Sequence, residues 1–242
     1  MTHIPHASNH LLASLPAAEL DLLLPDLKTV DLVHETVLFD VGETIDRVYF
    51  PHSGVVSLVV SLASGELIET GMVGRDSLVG GSSALDGKVS LNKAIVQIAG
   101  TASMLSIERL RSAANTSVPF RTSLIRHEQL ILVQAQQSAA CNITHTLEAR
   151  LARWLLRCRD LTGSEDLDLT QEFLAQMLGV RRTSVSIVAG TLQHSGLIRY
   201  RRGHIRILDL AGLRDAACEC YQTIRLQSER LVGVGTTAGG GN

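Results

Sequence analysis

Between Val30 and about Leu105 the chain breaks into short β-branched runs separated by glycines: "VLFDVGE", "RVYFPHSGVVSLVVSLASGELIETGMVG" and "KAIVQIAGTASMLSI". Short strands punctuated at Gly42, Ser53-Gly54, Ser64-Gly65 and Gly100 predict an antiparallel sandwich or barrel. The texture then changes. From about Val118 to Leu161 there is no glycine, the one proline, Pro119, sits near the start, and helix formers dominate until Gly163-Ser164 closes the run. A helix of up to about 40 residues spans about 60 Å, longer than a small domain needs, so it is expected to bridge domains or subunits. Leu124, Ile131, Ala135, Leu147 and Leu151 follow a heptad only loosely, so periodicity alone does not establish a coiled coil.

After "GSEDLD", which reads as a linker, two short helical patterns follow. In "TQEFLAQML", Thr170 suits an N-cap, Glu172 suits the positive helix start, and Leu174, Met177 and Leu178 fall at i, i+3, i+4. Gly179 supplies a left-handed turn at little steric cost. The next helix, Arg182 to about His194, puts Val185, Val188 and Leu192 on one side and Arg182, Thr183, Ser186, Gly190 and Gln193 on the other. "LIRYRRGHIRIL" then alternates around Gly203 as a hairpin.

Charge sharpens this picture. The 242 residues are 45% hydrophobic and 19% charged, enough to bury a core, with a formal net charge of −2. Residues 1–115 hold 13 acids against 7 bases, and residues 116–242 hold 11 acids against 15 bases. Within 178–207 there are six arginines and no carboxylate; Glu172 is the last acid before that window and Asp209 the first after it. Arginines at a helix start oppose the macrodipole. Arg181 and Arg182 sit there, so an external anion is expected as their partner, and DNA phosphates and guanine edges fit. Two helices around a glycine turn, followed by a basic hairpin, predict a winged helix-turn-helix with its second helix in the major groove.

Other chemistries are weakly supported. No P-loop, Gly-x-Ser-x-Gly or His-Glu-x-x-His spacing is present, so an enzyme is not expected. Cys141 and His145, at i, i+4, share a helical face, but two ligands are not a site. Cys218 and Cys220, two apart in a predicted helix, would point about 200° apart. No metal site is therefore expected, and the four cysteines read as reduced thiols. The N-terminus has no basic n-region, and Pro16, Glu19, Asp21 and Pro25 interrupt its apolar stretches, so a cytoplasmic protein with no membrane partner is expected.

The segment "LTQEFLAQMLGVRRTSVSIVAGTLQHSGLIRYRRGHIRILD" resembles the DNA-binding domain of the Crp/Fnr family of bacterial transcription regulators, with Ala175, Gly179 and the aliphatics Leu174, Leu178, Val180, Val185 and Val188 at the signature's positions. The N-terminal part is similar to the family's β-roll sensor, and the intervening helix to its dimerisation helix. The resemblance implies an α+β architecture: a cyclic-nucleotide-binding-like β-roll over 1–115, a long dimerisation helix over 116–162 and a winged helix-turn-helix over 163–231; the tail over 232–242 lies beyond it and is expected to be disordered from its low-complexity composition.

It also implies roles. Arg182 and Thr183 would read base edges, with Ser186 and Ile187 one turn on. Arg181 and Ser184 complete the helix start, and Thr170, Gln171, Arg202 and His204 would touch the DNA backbone. Thr183 stands where well-known members have glutamate, and Arg181 where many have a capping serine, so their operator is not carried over. In the sensor, Gly74-Arg75 replaces the Gly-Glu pair that holds the ribose, and "SLNKAIV" lacks the phosphate-clamping arginine; Gly74, Arg75, Asp76 and Lys93 remain the effector-pocket candidates. Cyclic AMP in the usual mode is not expected, the effector is unknown, and no iron–sulfur cluster is expected because no cysteine precedes Cys141. His34, His52 and His127 are haem-ligand candidates only as any histidine is. The implied partners are double-stranded DNA, a second copy of the chain and RNA polymerase. A reading from another class is a cyclic-nucleotide receptor whose basic domain docks a protein partner.

Overall fold

The computed structural model describes residues 5–233. Two short helices, α1 (His10–Ala13) and α2 (Ala17–Leu23), precede seven strands: β1 (Lys28–Leu32), β2 (Val37–Phe39), β3 (Arg47–Pro51), β4 (Val55–Ser61), β5 (Leu67–Val73), β6 (Lys93–Ile98) and β7 (Gly100–Ser106). These form two antiparallel sheets, ordered β1-β7-β3 and β2-β6-β4-β5. Alternation along the strands buries Val56, Leu58, Val73 and Val96 of one sheet against Leu32, Tyr49 and Ala102 of the other. Where the chain passes between sheets, a Cβ at Gly54 would lie 2.5 Å from the Ile98 carbonyl oxygen and one at Gly100 2.4 Å from that of Ser53, so only glycine permits the crossing.

Helix α3 (Ile107–Thr116) leads into α4 (Val118–Thr144) and α5 (Leu147–Thr162). The single helix expected between Val118 and Leu161 is thus two. His145 is extended (φ −105°, ψ 149°), and Thr146 caps α5 by accepting the Ala149 N–H at 3.3 Å. The break falls in "ITHT", where hydroxyls offer the backbone alternatives to the helical ladder. Before it, α4 covers the edge strand β5, and the buried Gln134 side chain accepts the Met72 N–H at 3.1 Å.

The remaining elements are β8 (Asp166–Asp168), α6 (Gln171–Leu178), α7 (Arg182–His194), β9 (Ile198–Arg201), β10 (His204–Ile207), α8 (Leu210–Ala216) and α9 (Cys220–Val232). Strands β8, β10 and β9 form a small sheet in that order, and α9 returns along α4. One core runs from Val55, Val59 and Met72 through Leu151, Trp154 and Leu155 of α5 to Leu174, Leu178, Val185 and Leu192 of α6 and α7. Helix α5 therefore joins the sheet domain to the helix-turn-helix. Trp154, 1% exposed, stacks edge-on against Phe173 with centroids 5.7 Å apart, a packing role. Among the described residues, no helix is long and apolar enough to cross a membrane. The tail expected to be disordered lies, beyond Gly233, outside the described residues.

Candidate nucleic-acid interface

The reading unit is built by local signals. Thr170 caps α6, its hydroxyl accepting the Phe173 N–H at 3.1 Å. Gly179 (φ 62°, ψ 44°) ends that helix in the left-handed conformation, its N–H reaching the Ala175 and Gln176 carbonyls. A Cβ there would also lie 2.7 Å from Ile68 Cδ1, so glycine serves both the turn and the close approach of the β4–β5 hairpin. On α7, Val185, Ala189 and Leu192 are buried, while Arg182, Thr183, Ser186, Gly190 and Gln193 face solvent. Arg181 takes the N-cap position without a side-chain capping bond, so the positive end of α7 carries two exposed arginines.

Ser186 Oγ donates to Gln171 Oε1 at 2.6 Å, bringing two of the expected contact residues together. The segment entering α6 is tied to the wing as well, since the Leu169 N–H donates to the Gly203 carbonyl at 2.8 Å. At the wing tip Arg202 (φ 50°) and Gly203 (φ 80°) make a two-residue turn with both residues left-handed, which matches the twist of β9 and β10. Ser184 is half-buried, and Ile187, 71% exposed, stands on the outward face of α7.

The electrostatics divide the arginine-rich window. His204 lies between Asp168 (2.9 Å) and Asp166 (3.1 Å), which raise its pKa in that order of importance, and Arg206 reaches Asp166 at 3.7 Å. Among the described residues, no ion pair involves Arg181, Arg182, Arg199, Arg201 or Arg202. Asp166 and Asp168 lie just outside the acid-free window and are brought to the wing by β8. Charge counting along the window missed them because strand pairing, not proximity in sequence, supplies the contact.

In the sheet domain a cavity of about 280 Å³ opens between the β2-β6-β4-β5 sheet and α4, lined by residues such as Phe39, Leu58, Val79, Asn92, His127 and Ile131. Among the described residues, none that lines it is lysine or arginine. Gly74, Arg75, Asp76 and Lys93 lie outside that lining. Gly74 abuts Leu161 and Arg75 abuts Gly163, Asp76 pairs with Arg157 of α5 at 2.8 Å, and Lys93 pairs with Asp40 at 2.9 Å. Of His34, His52 and His127, His127 alone lines the cavity; its Nε2 is engaged by Ser77 Oγ and by the Leu78 N–H at 3.3 Å.

The expectation that Cys218 and Cys220 diverge on one helix is corrected. Cys218 lies in the bend before α9 rather than on a helix with Cys220, so the two side chains need not diverge. Cys141, His145, Cys218 and Cys220 each place a donor atom within 4.8 Å of the others, an arrangement able to hold a metal ion.

The fold and this surface define a helix-turn-helix DNA-binding protein. A family model for the Crp-like helix-turn-helix domain matches residues 149–216, and the chain is similar to transcriptional regulators of the Crp/Fnr family. It is 28% identical over 200 residues to the transcriptional regulator SdrP of Thermus thermophilus, covering 76% of this chain and 95% of that protein. Its fold is similar to that of FixK2 from Bradyrhizobium japonicum (18% identity, TM-score 0.68, 79% of this chain and 98% of that one). A solved transcriptional regulator of the CRP/FNR family, also from Thermus thermophilus, is 25% identical with a TM-score of 0.60, over 78% of this chain and 98% of that one. The domain matched in the family model includes most of α5, in keeping with the core that α5 shares with α6 and α7.

Proposed function

We propose that this regulator reads a two-fold related DNA site as a homodimer, with Arg181–Ile187 of α7 in the major groove and Thr170, Gln171, Arg202 and His204 on the backbone. The observation that carries this reading is the set of exposed arginines at the start of α7 and in the wing for which the described residues provide no carboxylate partner. Arg182 suits guanine O6 and N7, and the exposed Ile187 suits a thymine methyl. Dimerisation is supported by an outward stripe on α4, where Val118, Ile125, Leu132 and Ala139 recur every seven residues and are exposed. That stripe differs from the positions the sequence pattern suggested, which face the chain's own sheets and helices.

The sheet domain, over residues 1–115, takes an effector in the cavity against α4, and helices α4 and α5 carry its influence to the DNA-reading domain, which then engages RNA polymerase at a promoter. A pocket without lysine or arginine supports an effector other than a cyclic nucleotide held by its phosphate. Selection from random duplex DNA by the purified full chain tests the function. A recovered two-fold symmetric motif is the expected result, and enrichment of nothing above background would overturn it.

A further inference from the structure

Four side chains with no part in reading DNA converge where α4 gives way to α5. Cys141 is on the last turn of α4, His145 is at its C-cap, Cys218 follows α8 and Cys220 opens α9. We propose that Cys141, His145, Cys218 and Cys220 form a closed tetrahedral site for one zinc-class divalent ion, which staples the α4–α5 break to the segment entering α9.

The distances suit a single ion. Four donors held about 2.0–2.3 Å from one centre stand roughly 3.3–3.8 Å apart in a tetrahedron. Cys141 Sγ is 3.5 Å from Cys218 Sγ, and Cys220 Sγ is 3.5 Å from His145 Nδ1. Three thiolates with one imidazole select zinc among the common divalent ions, and four protein ligands leave no open position, the pattern of a structural site.

Outer contacts favour the same assignment. His145 offers Nδ1 to the cluster while Nε2 lies 3.1 Å from Glu219 Oε1. That carboxylate would accept a hydrogen bond from Nε2–H and fix the tautomer that leaves Nδ1 free to ligate. Gln137 Nε2 donates to Cys220 Sγ at 3.0 Å, a bond that suits a thiolate acceptor. The Arg153 guanidinium lies close enough to Cys141 for its charge to act on that sulfur. Arg153 is itself buried, with an Nε that finds no hydrogen-bond partner among the described residues. A zinc ion with three thiolates and a neutral imidazole carries one net negative charge, which answers that buried cation.

The full-length protein, prepared reduced and metal-free, is titrated with Co(II) and then with Zn(II) against a chromophoric chelator. One cobalt per chain is expected, with thiolate-to-cobalt charge transfer and intense tetrahedral d–d bands that zinc abolishes. Cys141→Ser, Cys218→Ser and Cys220→Ser each lose that spectrum, whereas Cys158→Ala, which alters the cysteine outside the cluster, keeps it. Glu219→Gln keeps one ion per chain and weakens its affinity about tenfold or more. His145→Cys retains four donors and retains the ion, and circular dichroism identifies any serine variant that fails to fold. Folded wild-type chain with free thiols that takes up no cobalt would overturn the site. So would a spectrum indifferent to loss of Cys220.

Discussion

Helix α5 and the α7–wing segment are both rich in arginine, and they use it in opposite ways. Arg150, Arg153 and Arg157 recur along one face of α5 and are 7–8% exposed. Arg157 meets Asp76 at 2.8 Å, and Arg150 donates to the Leu178 carbonyl at the end of α6. On α7 and the wing, Arg181, Arg182, Arg201 and Arg202 are exposed, with no carboxylate facing them among the described residues. A buried guanidinium must find its counter-charge inside the protein, because an unpaired charge in the interior is costly. An exposed one can leave it to an external anion. The same residue type therefore clamps the reading unit to the sheet domain on one side and faces outward on the other.

The largest effect of removing a buried arginine is expected at Arg157. Its pair with Asp76 is more than nine-tenths buried on both sides, and Arg157→Ala leaves that carboxylate uncompensated. A loss of about 3–5 kcal/mol of folding stability is expected, measured by urea unfolding. A change below about 1 kcal/mol would show that water reaches the pair.

Beside that pair lies Glu69 of β5, which accepts the Trp154 Nε1–H at 2.8 Å and a hydroxyl hydrogen bond from Ser57. Burial pushes its carboxyl up to about 7, outweighing Ser57, Trp154, Arg153 and Arg157, which all pull it down. A carboxyl whose folded pKa exceeds its unfolded value of 4.5 binds more protons in the native state. Stability therefore falls as pH rises between about 4.5 and 7 and then levels off. Glu69→Gln keeps an acceptor for Trp154 and removes that decline, leaving the variant more stable at about pH 8 by up to roughly 3 kcal/mol. Parallel stability profiles for the two proteins would mean that the neighbouring arginines do ionise Glu69.

These two regions also show where sequence was readable. The Thr170 cap, the Gly179 turn, the apolar face of α7 and the Arg202-Gly203 hairpin depend on residues within a turn or two of each other, and each stands where the pattern puts it. The strands of the sheet domain were legible for the same reason. The helix break at His145 was not, since "ITHT" carries neither glycine nor proline and hydroxyl competition with the ladder is a weak signal. The Cys141–Cys218 contact spans 77 residues. Each half was visible, as Cys-x-x-x-His and Cys-x-Cys, but nothing local says that α9 returns along α4 to join them. Arg75 and Asp76 are effector-pocket candidates because of where they fall relative to the family's ribose contact, and the fold brings them to Gly163 and Arg157 around α5, a contact that no local pattern announces.

On the outward side, Arg182 stands exposed at the start of α7. If its guanidinium reads a guanine, Arg182→Ala lowers affinity for the selected site by about 1–3 kcal/mol and relaxes preference at one base pair in each half-site, with folding stability unchanged within about 0.5 kcal/mol. Binding to the selected motif and to single-base variants, measured by fluorescence anisotropy, reads the effect. An equal loss on selected and random duplexes would place Arg182 on phosphate.

Arg202 supplies the complementary and smallest effect. It occupies a left-handed turn position already as a non-glycine residue, φ 50°, so Arg202→Ala changes the charge without introducing a branched side chain into that conformation. A phosphate contact at the wing tip carries no base information, so the variant should weaken binding to every duplex alike and leave the selected motif intact. Each phosphate neutralised releases counterions, and losing one lowers the slope of log affinity against log salt by about one. Titrations at several salt concentrations measure that slope. If it is unchanged while preference at a single base shifts, Arg202 reaches into a groove, and the wing would read sequence as α7 does.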